Sequence, residues 1–244
     1  MPRARFLSVG ESAISVELGQ SIDEEVNARV HLLAARVRRS LVDEVQEVVP
    51  TYRSLLLVFD PLRVPRARLV ARVERLVAAL PAHAAGRRGR LVHVPVSYGG
   101  EFGPDLAFVA EHHRLGEDEV VSLHSSIDYR VYMLGFTPGF PYLGGMSPRI
   151  AAPRLDQPRP RIPAGTVGIA GEQTGIYPVE SPGGWRLIGR TPLRLFDPTS
   201  RMPFLLSAGD RLRFRPVGAA EFGALEQRVA QGTYSPEIED ADGA

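Results

Sequence analysis

The 244-residue sequence predicts an α+β protein in two parts: a small two-layer domain of order βαββαβ over residues 1–89, and a β-barrel domain over 90–244. Two observations carry this. Apolar periodicity alternates between strand and helix spacing up to about residue 90. The texture then changes to short strand-like pieces broken by turn residues, with 11 Gly between Gly135 and Gly189 and seven Pro between Pro138 and Pro163.

The first domain reads in order. Ala13 to Leu18 alternates with Ile14, Val16 and Leu18 on one face, as a half-buried strand does. Ser21 and Glu24 form a capping box before a helix whose stripe is Ile22, Val26, Val30, Leu33 and Val37. Val45 to Val49 and Ser54 to Phe59 are strands, and Asp60-Pro61 is a turn. Pro65 opens a second helix that turns Leu69, Val73, Leu76 and Leu80 to the core. Leu91 to Val96 is expected as the closing strand of a split βαβ unit, with Ala82 to Arg90 as linker.

In the second domain Gly103-Pro104-Asp105 starts a short helix that Gly116 stops, and a further helical turn or two from Glu117 delivers His124. Candidate strands are Tyr129 to Leu134, Thr166 to Ala170, Trp185 to Ile188, Leu193 to Phe196 and Arg211 to Arg215. A helix bearing Phe222, Leu225 and Val229 closes the fold, and the acidic tail from Glu237 is expected to fray.

Composition excludes several chemistries. The chain has no Cys, so thiol nucleophiles, disulfides and Cys-ligated metals are absent. All 29 basic residues are Arg, so Schiff-base lysines, a biotinylated Lys and the Lys of a phosphate loop are absent too. With 28 acidic residues the net charge is +1, which offers no field to nucleic acid or membrane. No apolar run reaches the ~18 residues of a membrane span, and the N-terminus does not read as a secretory signal. The expectation is a cytoplasmic enzyme or binding protein. The six His are dispersed without metal-ligand spacing, and no metal site is expected.

Chemistry concentrates in three strings. The loop Gly135–Gly145 alternates Gly and Pro with Phe136, Phe140 and Tyr142, around Gly139. It is either a pocket wall with bare amides or a stiff barrel connection with its rings in the core. The second string runs Arg161 to Pro178 and contains Gln173 and Tyr177; the third, Ser181 to Pro192, holds Gly183, Gly184, the single Trp185 and Arg190. Residues 124–203 carry nine Arg against five acidic residues, +4, whereas 91–123 carry one against six, −5. A basic, glycine-rich face suits a small anionic ligand, although any one of these Arg can equally be solvated barrel exterior. His124 is an acid/base candidate or a hydrogen-bonded core histidine.

Together with Leu123-His124-Ser125, Tyr129-Arg130-Val131-Tyr132, Pro158-Arg159-Pro160-Arg161, Tyr98-Gly99-Gly100 and Gly209-Asp210, these strings resemble the B-subunit family of 5-oxoprolinase. That family was long labelled allophanate hydrolase subunit 1 and includes inhibitors of sporulation histidine kinases; the match runs from about residue 5 to 231. The resemblance implies a cyclophilin-like barrel, a paired C subunit related in fold, a separate A subunit, and joint ATP-dependent cleavage of 5-oxoproline to L-glutamate. It also implies two alternatives, a histidine-kinase autophosphorylation inhibitor and half of a urea-carboxylase-type carboxyltransferase.

The lactam resists water, so ATP would first phosphorylate its carbonyl oxygen, and positioning and charge stabilisation would do the rest. Residue type and position, not the resemblance, suggest the roles. The Gly135–Gly145 loop and the Gly183-Gly184-Trp185 turn are expected to supply amides and walls. Arg161 and Arg190 would bind carboxylate or phosphate, Gln173 and Tyr177 would orient the substrate, and His124 would move a proton. With no Lys and no phosphate-loop motif, the nucleotide site is expected to be shared or to lie on a partner chain.

Overall fold

The computed structural model describes residues 4–81 and 89–240, which fall into two compact units. The predicted linker lies outside the described residues except for Gly89 and Arg90.

The first unit is a four-stranded antiparallel sheet with two helices packed on one face. Its elements are β1 (Arg5–Val9), β2 (Ala13–Glu17), α1 (Glu24–Ser40), β3 (Glu47–Pro50), β4 (Ser54–Val58) and α2 (Arg66–Ala78), and the strand order is β1-β2-β4-β3. The two-layer α+β architecture is as the periodicity predicts, but the element order is ββαββα. The segment at Leu91 joins the other unit, and the sheet is completed from the N-terminal side by β1. That strand carries no clean alternation because it is an edge whose outward residues, Leu7 and Val9, stay partly exposed.

Two local expectations shift by a residue or two. The cap of α1 is Asp23, whose carboxylate accepts from the Glu25 and Val26 amides at 2.9 and 3.0 Å, and not Ser21. Ile22 consequently lies before the helix and is exposed, while Val30, Leu33 and Val37 are fully buried against Val16, Leu55 and Leu57. Pro65 precedes α2 directly, and Leu69 and Val73 face inward.

The second unit is built on an eight-stranded, nearly closed barrel-like sheet. Its elements are β5 (Leu91–Tyr98), α3 (Leu106–His113), α4 (Glu117–Ser125), β6 (Tyr129–Leu134), β7 (Pro141–Gly144), β8 (Arg159–Ile162), β9 (Thr166–Ala170), β10 (Gln173–Ile176), β11 (Ser181–Gly183), β12 (Arg186–Arg190), β13 (Arg211–Pro216), α5 (Ala219–Ala230) and β14 (Ile238–Glu239). The main path is β10-β9-β12-β5-β13-β6-β7. Its two end strands meet where Gly175 of β10 lies against Phe140 and the Pro141 carbonyl. β5 pairs in parallel with β13 from Leu91↔Arg211 to Val96↔Pro216, the only parallel ladder among the described strands. β9 is buried at every position, as expected of a strand covered on both faces.

Differences from the sequence reading are local. β7, β8, β10 and β11 are three or four residues long and too Gly- and Pro-rich to show a period. Leu193 to Phe196 makes only an isolated bridge, Phe196↔Phe204. The start of the tail, expected to fray, is paired instead: β14 pairs with the first residues of β5, and Glu239 meets His93 at 2.7 Å.

Candidate functional site

The loop between β6 and β7 is held by a run of tight turns. Phe136 adopts φ 64°, a left-handed conformation that a large side chain adopts only when its surroundings enforce it. The enforcement is a set of tight turns: the Gly135 amide donates to the Phe140 carbonyl at 3.1 Å, Thr137 to Gly135 at 2.8 Å, and Phe140 to Thr137 at 3.1 Å. Gly139, at φ 84°, lets the loop reverse against Phe196 and Phe204.

This geometry delivers Phe140 into a small satellite core. Phe140, Tyr177 and Trp185 are buried, and Phe140 meets Trp185, Tyr177 and Tyr142 edge-to-face at centroid distances of 5.5, 5.6 and 5.2 Å. Beside the rings lies a cavity of about 190 Å³ lined by Phe136, Phe140, Tyr142, Arg154, Tyr177, Gly183, Gly184 and Trp185. The first and third strings, and Tyr177 from the second, therefore converge on one hollow. Gly183 is required there, because a Cβ would overlap the Tyr177 hydroxyl.

The frame around the cavity is held by buried polar contacts. Asp105, at the start of α3, accepts from the Leu187 amide at 2.7 Å and from Arg159 at 2.9 Å. Arg159 also donates to the Trp185 carbonyl at 3.4 Å. One carboxylate thus ties α3, β8 and β12 together behind the tryptophan. Burial pushes the Tyr177 hydroxyl up to about 12, against a Trp185 backbone hydrogen bond and the charges of Arg154 and Arg159. The Tyr142 hydroxyl is likewise raised by burial and opposed by Arg154. Both phenols are neutral donors at neutral pH, and both sense Arg154.

The remaining predicted site residues do not line this cavity. His124 is 0% exposed: it stacks on Phe214 at 4.4 Å and sits between the Tyr98 hydroxyl and Thr174 Oγ1, each at 2.8 Å. The Thr174 hydroxyl donates to the Gly168 carbonyl at 3.0 Å, so its oxygen accepts from His124 Nε2–H and Nδ1 accepts from Tyr98. Burial lowers the imidazole to about 3, which keeps it neutral. This is a core histidine that locks α4 to β5 and β10, away from the aromatic cavity.

Arg161 forms a two-pronged pair with Glu180 at 3.0 Å on the outer surface. Arg190 donates to the Ala164 carbonyl at 3.2 Å and lines a different hollow of about 220 Å³ with Arg194 and Glu226. Gln173 pairs opposite Ala170 in the β9–β10 ladder, outside the cavity lining. Gly139 supports the loop from behind. The sequence reading missed Arg154 and Asp105; their only signals are the local excess of Arg and a helix-start motif, neither of which singles them out.

No group of His, Asp or Glu able to hold a metal occurs among the described residues, and no described helix is long and apolar enough to cross a membrane.

Residues 4–206 match the family model described as carboxyltransferase domain, subdomain C and D. The chain is 44% identical over 235 residues to the 5-oxoprolinase B subunit of Bacillus subtilis (strain 168), covering 92% of this chain and 98% of that protein. It is also 44% identical over 219 residues to the 5-oxoprolinase B subunit of Escherichia coli O157:H7, covering 88% and 97%. Among solved structures, the urea amidolyase of K. lactis matches with TM-score 0.82 at 21% identity. That match covers 98% of this chain and 16% of the other, a likeness of fold that includes both the two-layer unit and the barrel. By its motifs, its fold and its sequence identity along nearly the whole length, this chain belongs to the B-subunit family of 5-oxoprolinase.

Proposed function

We propose that the chain works as the B subunit of an ATP-dependent 5-oxoprolinase, acting with the A and C subunits to open 5-oxoproline to L-glutamate. One observation carries the reading: strings far apart in sequence fold into a single small cavity with aromatic walls and one cation. Its ~190 Å³ is below the ~300–1,000 Å³ of drug-sized sites and suits a five-membered ring acid. The relatives' names support the same substrate and an assembly of several subunits.

ATP is the co-substrate of the proposed complex, but this cavity does not fit it. One guanidinium and neutral rings do not match a triphosphate, and no Lys exists in the chain to supplement them. In this reading the nucleotide lies on a partner chain or a shared face, in keeping with a chain that has no Lys and no phosphate-loop motif. This chain's own part is to hold the lactam: rings cover the methylenes, and the neutral phenols of Tyr142 and Tyr177 line the cavity beside Arg154.

The test is glutamate release from 5-oxoproline and ATP, with this chain alone and with the A and C subunits co-expressed. Turnover is expected only with all three. Full turnover by the other two without this chain would reject the reading. The family model's carboxyltransferase description favours a second reading, half of a urea-carboxylase-type carboxyltransferase. A biotin carrier would then have to come from another chain, because this one has no Lys to carry it.

A further inference from the structure

Six arginines lie between residues 149 and 190, and five of them are committed. Arg149 pairs with Glu119, Arg159 with Asp105, and Arg161 with Glu180. Arg186 donates to the Pro153 carbonyl and stacks over Phe108 at 3.6 Å, and Arg190 donates to the Ala164 carbonyl. Arg154 alone of the six has no carboxylate or carbonyl partner among the described residues. Among the described residues it is also the only charged side chain lining the aromatic cavity, with its guanidinium 6.0 Å from the Trp185 ring centroid.

Its backbone is fixed from both sides. Ala152 and Gly171 exchange hydrogen bonds at 3.2 and 2.7 Å, and the Leu155 amide donates to the Gly184 carbonyl at 2.7 Å. Arg186 holds the Pro153 carbonyl, the residue just before. A long cation on a clamped stem, beside apolar walls, is an arrangement for catching a small anion at the cavity mouth while its hydrocarbon part enters.

From this we infer that Arg154 is the anion-recognition residue of the cavity, forming a two-pronged contact to the carboxylate of a small cyclic acid. The inference deepens the proposed function and rests on it for the identity of the acid. It excludes the surface Arg161, already neutralised by Glu180, from that task.

Trp185 is the chain's single tryptophan, so its fluorescence reports on this cavity alone. The experiment titrates the full chain with 5-oxoproline and, separately, with the uncharged ring 2-pyrrolidinone, in wild type, Arg154→Gln, Arg154→Lys and Arg161→Gln. Near-ultraviolet circular dichroism confirms that each variant is folded. Wild type should show a saturable change with 5-oxoproline and a weaker one with the neutral lactam. Arg154→Gln should weaken the acid about tenfold or more and leave the lactam unchanged. Arg154→Lys should recover part of the loss, and Arg161→Gln should match wild type. Equal acid affinity in wild type and Arg154→Gln would overturn the role of Arg154 while leaving the cavity as the lactam site. No response to either ligand would overturn both, whereas binding of the acid without glutamate release by the three-subunit mixture would reject only the 5-oxoprolinase reading.

Discussion

His124 illustrates how burial changes the work of one residue. Its proton affinity in the folded chain, about 3, is below the ordinary 6.5 of an unfolded chain. Below pH 6.5 the unfolded state therefore takes up a proton that the native state refuses, and stability falls with pH until about 3. At pH 4.5 this amounts to about 2–3 kcal/mol, so the urea midpoint should drop between pH 7 and 4.5. His124→Gln should be less stable at pH 7 yet show a flatter pH dependence; an unchanged slope would contradict the assignment. Phe136 carries a different load. Its φ of 64° costs about 1–3 kcal/mol, and its side chain is 68% exposed, so little burial offsets it. Phe136→Asn, which tolerates that conformation, should raise stability by up to about 1 kcal/mol while weakening the Trp185 response to 5-oxoproline. A lower melting temperature in this variant would mean that the ring stabilises the loop more than the backbone strains it.

At the scale of elements, the site depends on how short strands are joined. Asp105 links α3 to β8 and β12 through Arg159 and the Leu187 amide. Replacing it by Ala leaves a guanidinium and a buried amide without their anion, and should cost about 3 kcal/mol in denaturant unfolding. Trp185 emission should shift to the red in the same variant, because its wall is released. Gly183 is the matching constraint on β11. Gly183→Ala should cost about 1–3 kcal/mol and displace Tyr177, seen as weaker 5-oxoproline binding with Arg154 still in place. Long periodic elements were legible from sequence: α1, α2, β2, β4, β6, β9 and β13 lie where the apolar spacing puts them. The three- and four-residue strands β7, β8, β10 and β11 were not, since two alternations cannot be told from a loop, and their pairing is set by the strands that folding brings beside them.

At the scale of the whole chain, each unit has its own core. One gathers Ile14, Val16, Leu33, Leu55, Leu57 and Leu69; the other gathers Val92, Val94, Tyr129, Val167, Ile188 and Phe214, with no residue in common. A fragment of residues 89–244 should therefore fold by itself, with cooperative thermal unfolding and the Trp185 emission of the intact chain. An unfolded fragment would show that the barrel needs the first unit to form.

The sequence by itself determined the α+β class, the change from a two-layer unit to a barrel, and the glycines and aromatic rings that line the cavity. Those properties follow from local period and from Gly, Pro and aromatic content, which act on the chain wherever it goes. Only the tertiary structure decided which polar residues serve the cavity. His124 was drawn into the core, Arg161 and Arg190 found partners elsewhere, and Arg154 was left facing the rings. Whether an arginine is paired or free depends on an acid or carbonyl brought near it by folding, such as Glu180 19 residues from Arg161 or Asp105 54 residues from Arg159. Residue type and spacing carry no record of that meeting.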